Sequence, residues 1–339
     1  MKHSAIAIRG AAALASAAAL ALTVGADASS YDRYLRPAKA PEPAHNIGNP
    51  ARVALGKTLF FDPRLSGSNW ISCASCHNPA MGWSDGLPTG VGHGMLALKR
   101  ATPSLLNCGF NTTLMWDGRA PNLEEQALGP IAAAAEMNQD LPGLVRKLSA
   151  IEGYGPLFAA AYPGEGISEK TIGKAIAAYE RTILSGDSPF DRWRRGNARA
   201  VDESVKRGFA LFEGKANCVK CHEGFNFTDN GFHNIGLQPR HGEADVGRFA
   251  QRPVKAVYGA FRTPTLRDVE LTAPYMHDGT YNTLEEVVEH YDRGGDAVEH
   301  LSPNMKPLRL TAQEKADLVS FMKSLTGKQM VVTLPQLPN

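Results

Sequence analysis

Two short motifs, Cys73-Ala74-Ser75-Cys76-His77 and Cys218-Val219-Lys220-Cys221-His222, constrain this chain more than any other feature. Two thiols separated by two residues reach both vinyl groups of one porphyrin, and the adjacent histidine offers its imidazole to the iron from the same turn. The pattern predicts two covalently bound haem c groups, with Cys73, Cys76, Cys218 and Cys221 as attachment points and His77 and His222 as proximal iron ligands. Paired cysteines also bind zinc, but these pairs lie in separate halves and each runs straight into a histidine. Four of the five cysteines are consumed in this way, which leaves Cys108 without a disulfide partner. Its apolar setting, Ser104-Leu105-Leu106-Asn107-Cys108, predicts a small buried thiol rather than a reactive one.

At 339 residues the chain exceeds the span of one ordinary core, and one haem motif falls in each half. Lys2 and Arg9 precede an alanine-rich apolar run, Ala11 to Val24, followed by Ala26-Asp27-Ala28. This reads as residues 1–28 of an export signal, cleaved before Ser29, and places the mature protein in the periplasm. No later run is apolar enough to span a bilayer. The formal charge of +2 and the absence of a basic block argue against a nucleic-acid partner.

Apolar residues at helical spacing predict a helix over Pro50 to Phe61 ahead of the first motif and another over Ser204 to Phe212 ahead of the second, as in a duplicated unit. Further helices are predicted over Asn122 to Ala135, Leu141 to Ile151, Glu169 to Leu184, Leu284 to Tyr291 and Ala312 to Leu325, while strand-like alternation is scarce. Turn-forming residues at Ser185-Gly186-Asp187-Ser188-Pro189 mark a boundary. The predicted class is all-α: two cytochrome c-like domains, 29–185 and 186–339, each with one covalently bound haem and long loops.

The first half carries Gly92-His93-Gly94, Thr102-Pro103-Ser104-Leu105-Leu106-Asn107, Trp116-Asp117-Gly118-Arg119-Ala120, Glu125-Gln126-Ala127-Leu128-Gly129-Pro130 and Glu136-Met137. The second carries Phe261-Arg262-Thr263-Pro264-Thr265-Leu266-Arg267 and Leu271-Thr272-Ala273-Pro274-Tyr275-Met276-His277-Asp278-Gly279. This ordered set resembles the bacterial di-haem cytochrome c peroxidase and MauG family across nearly the whole mature chain.

The resemblance implies that the first haem meets peroxide, with Glu136 and Gln126 on its distal side. A carboxylate there can take a proton from peroxide and return it to the leaving oxygen. Read alone, Glu136 in an alanine-rich helix and Gln126 would be solvated side chains, and Trp116 would be core. The resemblance instead puts Trp116 between the haems as a relay for electron holes. His93 matches a residue that caps the first iron in resting peroxidases, a face that MauG-type members leave open. The family's peroxidases ligate the second iron with a methionine fourteen residues beyond the histidine of Pro-Tyr-x-His-Asp-Gly; here that place is Tyr291. Tyrosine there marks the MauG branch, and tyrosinate would stabilise oxidised iron where a thioether raises the potential. The bland alternative makes Tyr291 a packed aromatic and gives the iron to Met305 or Met276. The family also holds a calcium ion on backbone oxygens matching Thr272 and Pro274, with an asparagine where this chain has Ala101.

The implied function is therefore a MauG-like enzyme that uses hydrogen peroxide to form a high-valent bis-haem state and oxidises a tryptophan on a periplasmic partner protein. The compact chain fits the MauG-like proteins of methanobactin operons, whose partner is copper-associated. It has no tryptophan in Phe212 to Asn217, where the member that acts on methylamine dehydrogenase carries one at its surface. The alternative is a di-haem cytochrome c peroxidase that reduces peroxide with electrons from a small cytochrome or copper donor. A passive electron carrier would have two six-coordinate irons. Trp70, Trp83 and Trp193 are further relay candidates, with core packing as the default reading.

Overall fold

The computed structural model describes residues 32–240, 242, 244–297 and 299–339, together with Met1. The predicted export signal, residues 1–28, falls outside the described residues apart from Met1. No described helix is long and apolar enough to cross a membrane.

Ten α-helices organise the described residues. Helix α1 (Pro50–Phe61) starts where the Asn49 side chain accepts the Arg52 N–H, and Pro50 fills the first position, where no donor is needed. One short turn, α2 (Cys73–Cys76), holds the first haem motif. Then come α3 (Leu123–Ala132), α4 (Leu141–Ser149), α5 (Tyr154–Ala161) and α6 (Glu169–Glu180). After α7 (Pro189–Arg194), helix α8 (Glu203–Glu213) precedes the second motif, and α9 (Leu284–Arg293) and α10 (Ala312–Ser324) follow it. Capping boxes at Ser168, Thr283 and Thr311 start α6, α9 and α10. The only strands among the described residues, β1 (Phe232–His233) and β2 (Phe261–Arg262), pair antiparallel.

Two hydrophobic cores form. In one, α1 packs on α6, which also receives α3; in the other, α8 packs on α10, which also receives α9. Each long crossing is made at a glycine. A Cβ on Gly56 would stand 1.9 Å from the Ala175 carbonyl oxygen, and one on Gly208 would stand 2.0 Å from that of Asp317. The cores exchange chain ends: Tyr34 is buried in the second, while Val332 packs on the first and the Gly153 N–H donates to the Asn339 carbonyl.

A constant spacing of 161 residues relates Asn107 to Asp268, Trp116 to His277, Gln126 to Val287 and Pro130 to Tyr291. The hydrogen bonds repeat with it. Asn107 and Asp268 both adopt left-handed backbone, donate their N–H to a carbonyl at the end of α6 or α10 (Ile183, Leu325), and accept an N–H from just beyond (Ser185, Gly327). Ser104 and Thr265 hydroxyls donate to the Gly82 and Asn226 carbonyls, and Ser84 and Thr228 to those of Thr102 and Thr263. The chain is a duplicated unit down to single hydrogen bonds.

Several element ends differ from the periodicity. Helix α3 stops at Ala132, short of the predicted Ala135, because the N–H groups of Met137, Asn138 and Gln139 fold back onto the carbonyls of Pro130, Ala133 and Ile131. Glu136 therefore sits on a turn beyond the helix. Helix α6 ends at Glu180, α4 at Ser149 and α10 at Ser324, whereas α9 runs on to Arg293 and is closed by left-handed Gly294. Helices α5 and α7 were not signalled by periodicity. Trp70 is not core: it is 84 % exposed, on the loop leading into Cys73. Trp83 is buried against Phe60 and Tyr179, and Trp193 packs on Phe190 and Phe209.

Candidate haem sites

Each motif histidine is held by the same device. Its Nδ1–H donates to a carbonyl of a residue in left-handed backbone, His77 to Trp83 at 3.2 Å and His222 to Phe227 at 2.9 Å. That bond selects the tautomer and leaves Nε2 as the lone-pair donor. Burial pushes both imidazoles below their ordinary pKa, which keeps them neutral as a metal ligand must be. Cys73, Cys76, Cys218 and Cys221 are all free thiols, and Cys76, Cys218 and Cys221 line cavities together with their histidines. Orphaned Nε2 lone pairs, unpaired thiols and adjoining cavities form a donor set that fits haem c at both places.

The first cavity, about 1030 Å³, is broad and more polar than the second. Cys76 and His77 line it together with Gln126, Pro130, Glu136 and Arg119, and the second half contributes residues from Asn234 to Val246. The Glu136 carboxyl makes no hydrogen bond to described protein atoms. Burial raises its pKa above the ordinary carboxylate range, an effect that Arg119 opposes. The Gln126 amide makes one weak contact, 3.8 Å to the Met115 sulfur. Both side chains are therefore available to a guest. His93 does not line this cavity. Its backbone N–H bonds to the Ala135 and Glu136 carbonyls, and its Nδ1 is buried without a partner.

The second cavity, about 190 Å³, is apolar. Tyr291, on the last turns of α9, shares it with Cys218, Cys221 and His222, and Met276 and Met305 reach it too. The Tyr291 hydroxyl has no hydrogen-bond partner among the described protein atoms, and burial, then the nearby Cys218 and Cys221 thiols, pushes its pKa well up. A phenol so placed stays protonated unless a cation binds it. The preceding residue, His290, is wholly buried and ties α9 to the Ile235 carbonyl at 2.9 Å, to Tyr281 at 3.0 Å and to Asp296 at 3.2 Å.

Trp116, Phe261, Arg262 and His277 line both cavities and form the wall between them. Trp116 Nε1–H donates to the Ala101 carbonyl at 2.8 Å, and its own carbonyl accepts the Arg262 N–H at 2.8 Å. Phe261 stacks on His277 with ring centres 3.6 Å apart. Arg100 braces the wall by forking onto Asp245, with a third bond to Asp117. Sequence reading names Phe261 and Arg262 only within the segment that carries the resemblance, without a role, and does not single out Arg100 or Asp245. An arginine flanking an aromatic just before Thr263-Pro264 was the available signal.

Thr272 and Pro274 flank the cis Ala273–Pro274 peptide. At Ala101 the side-chain oxygen that the resemblance expects is missing and the Ala101 carbonyl accepts from Trp116, while the Thr272 hydroxyl donates to the Val269 carbonyl at 3.1 Å, which leaves the backbone oxygens of Thr272 and Pro274 to offer calcium. Among the described residues, the one group of three metal-capable side chains is Cys221, Asp229 and His233, which includes a haem-attachment cysteine.

Residues 50–199 match the family model described as di-haem cytochrome c peroxidase, and residues 205–326 the one described as cytochrome c. The chain is 47 % identical to the methylamine utilization protein MauG of Methylorubrum extorquens, over 94 % of this chain and 92 % of that one. It is 38 % identical to the cytochrome c551 peroxidase of Pseudomonas aeruginosa, over 84 % of this chain and 81 % of the relative. Among solved structures, a MauG-like protein associated with microbial copper homeostasis matches with a TM-score of 0.80 at 34 % identity, covering 87 % of this chain and 94 % of that one.

Proposed function

From a chain that belongs to the di-haem cytochrome c peroxidase and MauG family, and is thus a haem oxidoreductase acting with peroxide, we propose an enzyme that spends peroxide on oxidising a partner protein in the periplasm. Haem c at the two sites would supply the cleavage of peroxide and the storage of its two oxidising equivalents. The observation that carries the reading is the Tyr291 hydroxyl, which lies unpartnered in an apolar cavity with His222. A phenolate oxygen favours the oxidised state of a bound iron and makes the second site a store rather than an entry port for electrons.

The chain's own residues divide the remaining work. Glu136, raised in pKa and free of hydrogen bonds, can hold a proton on its carboxyl oxygen and exchange it with a guest in the first cavity. Gln126 can orient that guest through its amide. Trp116 lies in the wall both sites share and is anchored by its Nε1–H, so its indole can pass a hole between them without moving. A tryptophan on the partner is the expected target, since it is the most readily oxidised side chain to reach without entering the cavity. The copper-homeostasis neighbour and the methylamine-utilization relative support a protein target of this kind, and a copper-associated partner is the narrower proposal. Calcium binding at Thr272 and Pro274 and an iron-capping role for His93 have weaker support, because neither position presents a free side-chain ligand to a cavity.

A second reading, a peroxidase drawing electrons from a small cytochrome or copper protein, is favoured by Met276 and Met305, which line the second cavity and could supply a thioether. Stopped-flow mixing of the diferric protein with one equivalent of peroxide decides between them. The proposal expects a spectral change at both haems that decays slowly and is quenched by the partner. No change without prior reduction, together with fast turnover on a reduced cytochrome, sinks it.

A further inference from the structure

The wall between the cavities contains a cation that no described residue balances. Arg262 is 6 % exposed, its Nε has no hydrogen-bond partner, and its single side-chain bond runs from Nη1 to the carbonyl of its own neighbour Thr263 at 3.2 Å. Among the described residues no carboxylate pairs with it. Burial lowers its pKa to about 10, and the Cys108 thiol, itself held neutral by burial, is the only titratable group acting against that. Two other arginines, part-buried Arg100 and fully buried Arg267, show what is missing. Arg100 forks onto Asp245, and Arg267 forks onto Asp191. An isolated buried guanidinium is costly and persists only where an anion meets it.

The position is as informative as the charge. Strand β2 sets Arg262 opposite Phe232 and ties its N–H to the Trp116 carbonyl, so the guanidinium is fixed in the wall that both cavities share. A porphyrin of the c type brings two propionates, the planar carboxylates that an arginine fork matches. Resting on the assignment of haem c to both sites, we propose that Arg262 forms a salt link to a haem propionate at the junction, and that its charge sets the reduction potential of that haem and thereby the balance of oxidising equivalents between the two. Arg262 is a positioning and tuning residue and does not touch peroxide.

The test uses the full-length holoenzyme and its Arg262→Gln and Arg262→Lys variants, after pyridine-haemochrome spectra have counted the haems. A wild type with fewer than two haems would defeat the functional reading itself and is thereby told apart from a failure of this inference. Resonance Raman spectra report the propionate-bending bands, and spectroelectrochemical titration reports both midpoint potentials. We expect Arg262→Gln to shift a propionate band and to make at least one midpoint more negative. Arg262→Lys keeps the charge but not the fork, so the midpoint should return towards wild type while the band stays shifted. If Arg262→Gln does not retain both haems, the band in Arg262→Lys decides alone. Unchanged propionate bands overturn the salt link, even if a potential moves. So does a wild-type potential that follows chloride concentration, which would assign the counter-charge to a solute ion.

Discussion

The two haem sites are built on one repeated scaffold, yet two side chains at matched positions set them apart. Where the first site has Gln126 and Pro130, the second has Val287 and Tyr291, while Trp116 and its counterpart His277 face both cavities. On the proposed reading, proline offers a bound iron no ligand, which would leave the distal face of the first site to Glu136, Gln126 and a small guest. Tyrosine at the same place in the second closes an apolar pocket with a phenol that has no other partner. The framework bonds around both, at Ser84 and Thr228, Ser104 and Thr265, Asn107 and Asp268, are the same. Reactivity in this molecule thus resides in a few distal residues, and the comparison can be broken by exchanging them.

The largest effect should come from Tyr291→Phe. Both haems remain attached, because attachment depends on the thiols, but the second site loses its distal oxygen and oxidation of the partner is abolished. Absorption spectra after one equivalent of peroxide check this, and a wild-type response would reassign the ligand to Met276 or Met305. The reciprocal change, Pro130→Tyr, asks whether the matched position is ligand-competent. It should convert the first haem to a six-coordinate low-spin form, seen by electron paramagnetic resonance, and remove most of its reaction with peroxide. Next in size, Glu136→Gln should slow the bimolecular reaction with peroxide by roughly 10²–10⁴-fold, the usual worth of a positioned acid–base group. Burial raises the Glu136 pKa, so its proton-accepting form grows as pH rises through a value above the ordinary carboxylate range. The wild-type rate should climb over that window and the variant's should not.

Sequence alone made the two Cys-x-x-Cys-His turns, the cap-to-cap extent of α1 and the doubling of the unit legible, because motif spacing and helix caps are local. Helices α5 and α7 escaped because each is under nine residues, with glycine or proline in its first turn and too little length for a period to show. Glu136 was read into a helix because a run of alanines hides where a chain turns back. Its actual place depends on three N–H groups that reverse onto Pro130, Ile131 and Ala133. Arg262 was invisible for a different reason. A charged residue in a sequence reads as surface, and only the folded chain shows that the cation is buried and lacks its anion.

The smallest expected effect concerns the scaffold and tests how equal the two halves are. A Cβ at Gly56 or Gly208 meets a backbone carbonyl oxygen at nearly the same distance, 1.9 or 2.0 Å, so alanine at either should push its helix pair apart and cost about 1–3 kcal/mol. The partners behind the two carbonyls differ. Ala175 has no polar side chain, whereas Asp317 receives a fork from Arg207 and further bonds from Ser204 and Gln313. Displacing α10 disturbs that cluster as well, so Gly208→Ala should cost more than Gly56→Ala. The margin should be small beside the packing cost, because Arg207 is half exposed and solvent screens the pair. These bonds hold the Asp317 pKa well below the usual carboxylate value, so their stabilisation is present above the unfolded carboxylate pKa and is lost as pH falls through the folded one. Thermal melts of the two holoenzyme variants should therefore differ at neutral pH and converge in acid. Introducing Asp317→Asn into both glycine variants should narrow the neutral-pH gap in the same way, and a gap that survives both acid and this change would place the asymmetry in the apolar packing of the helices.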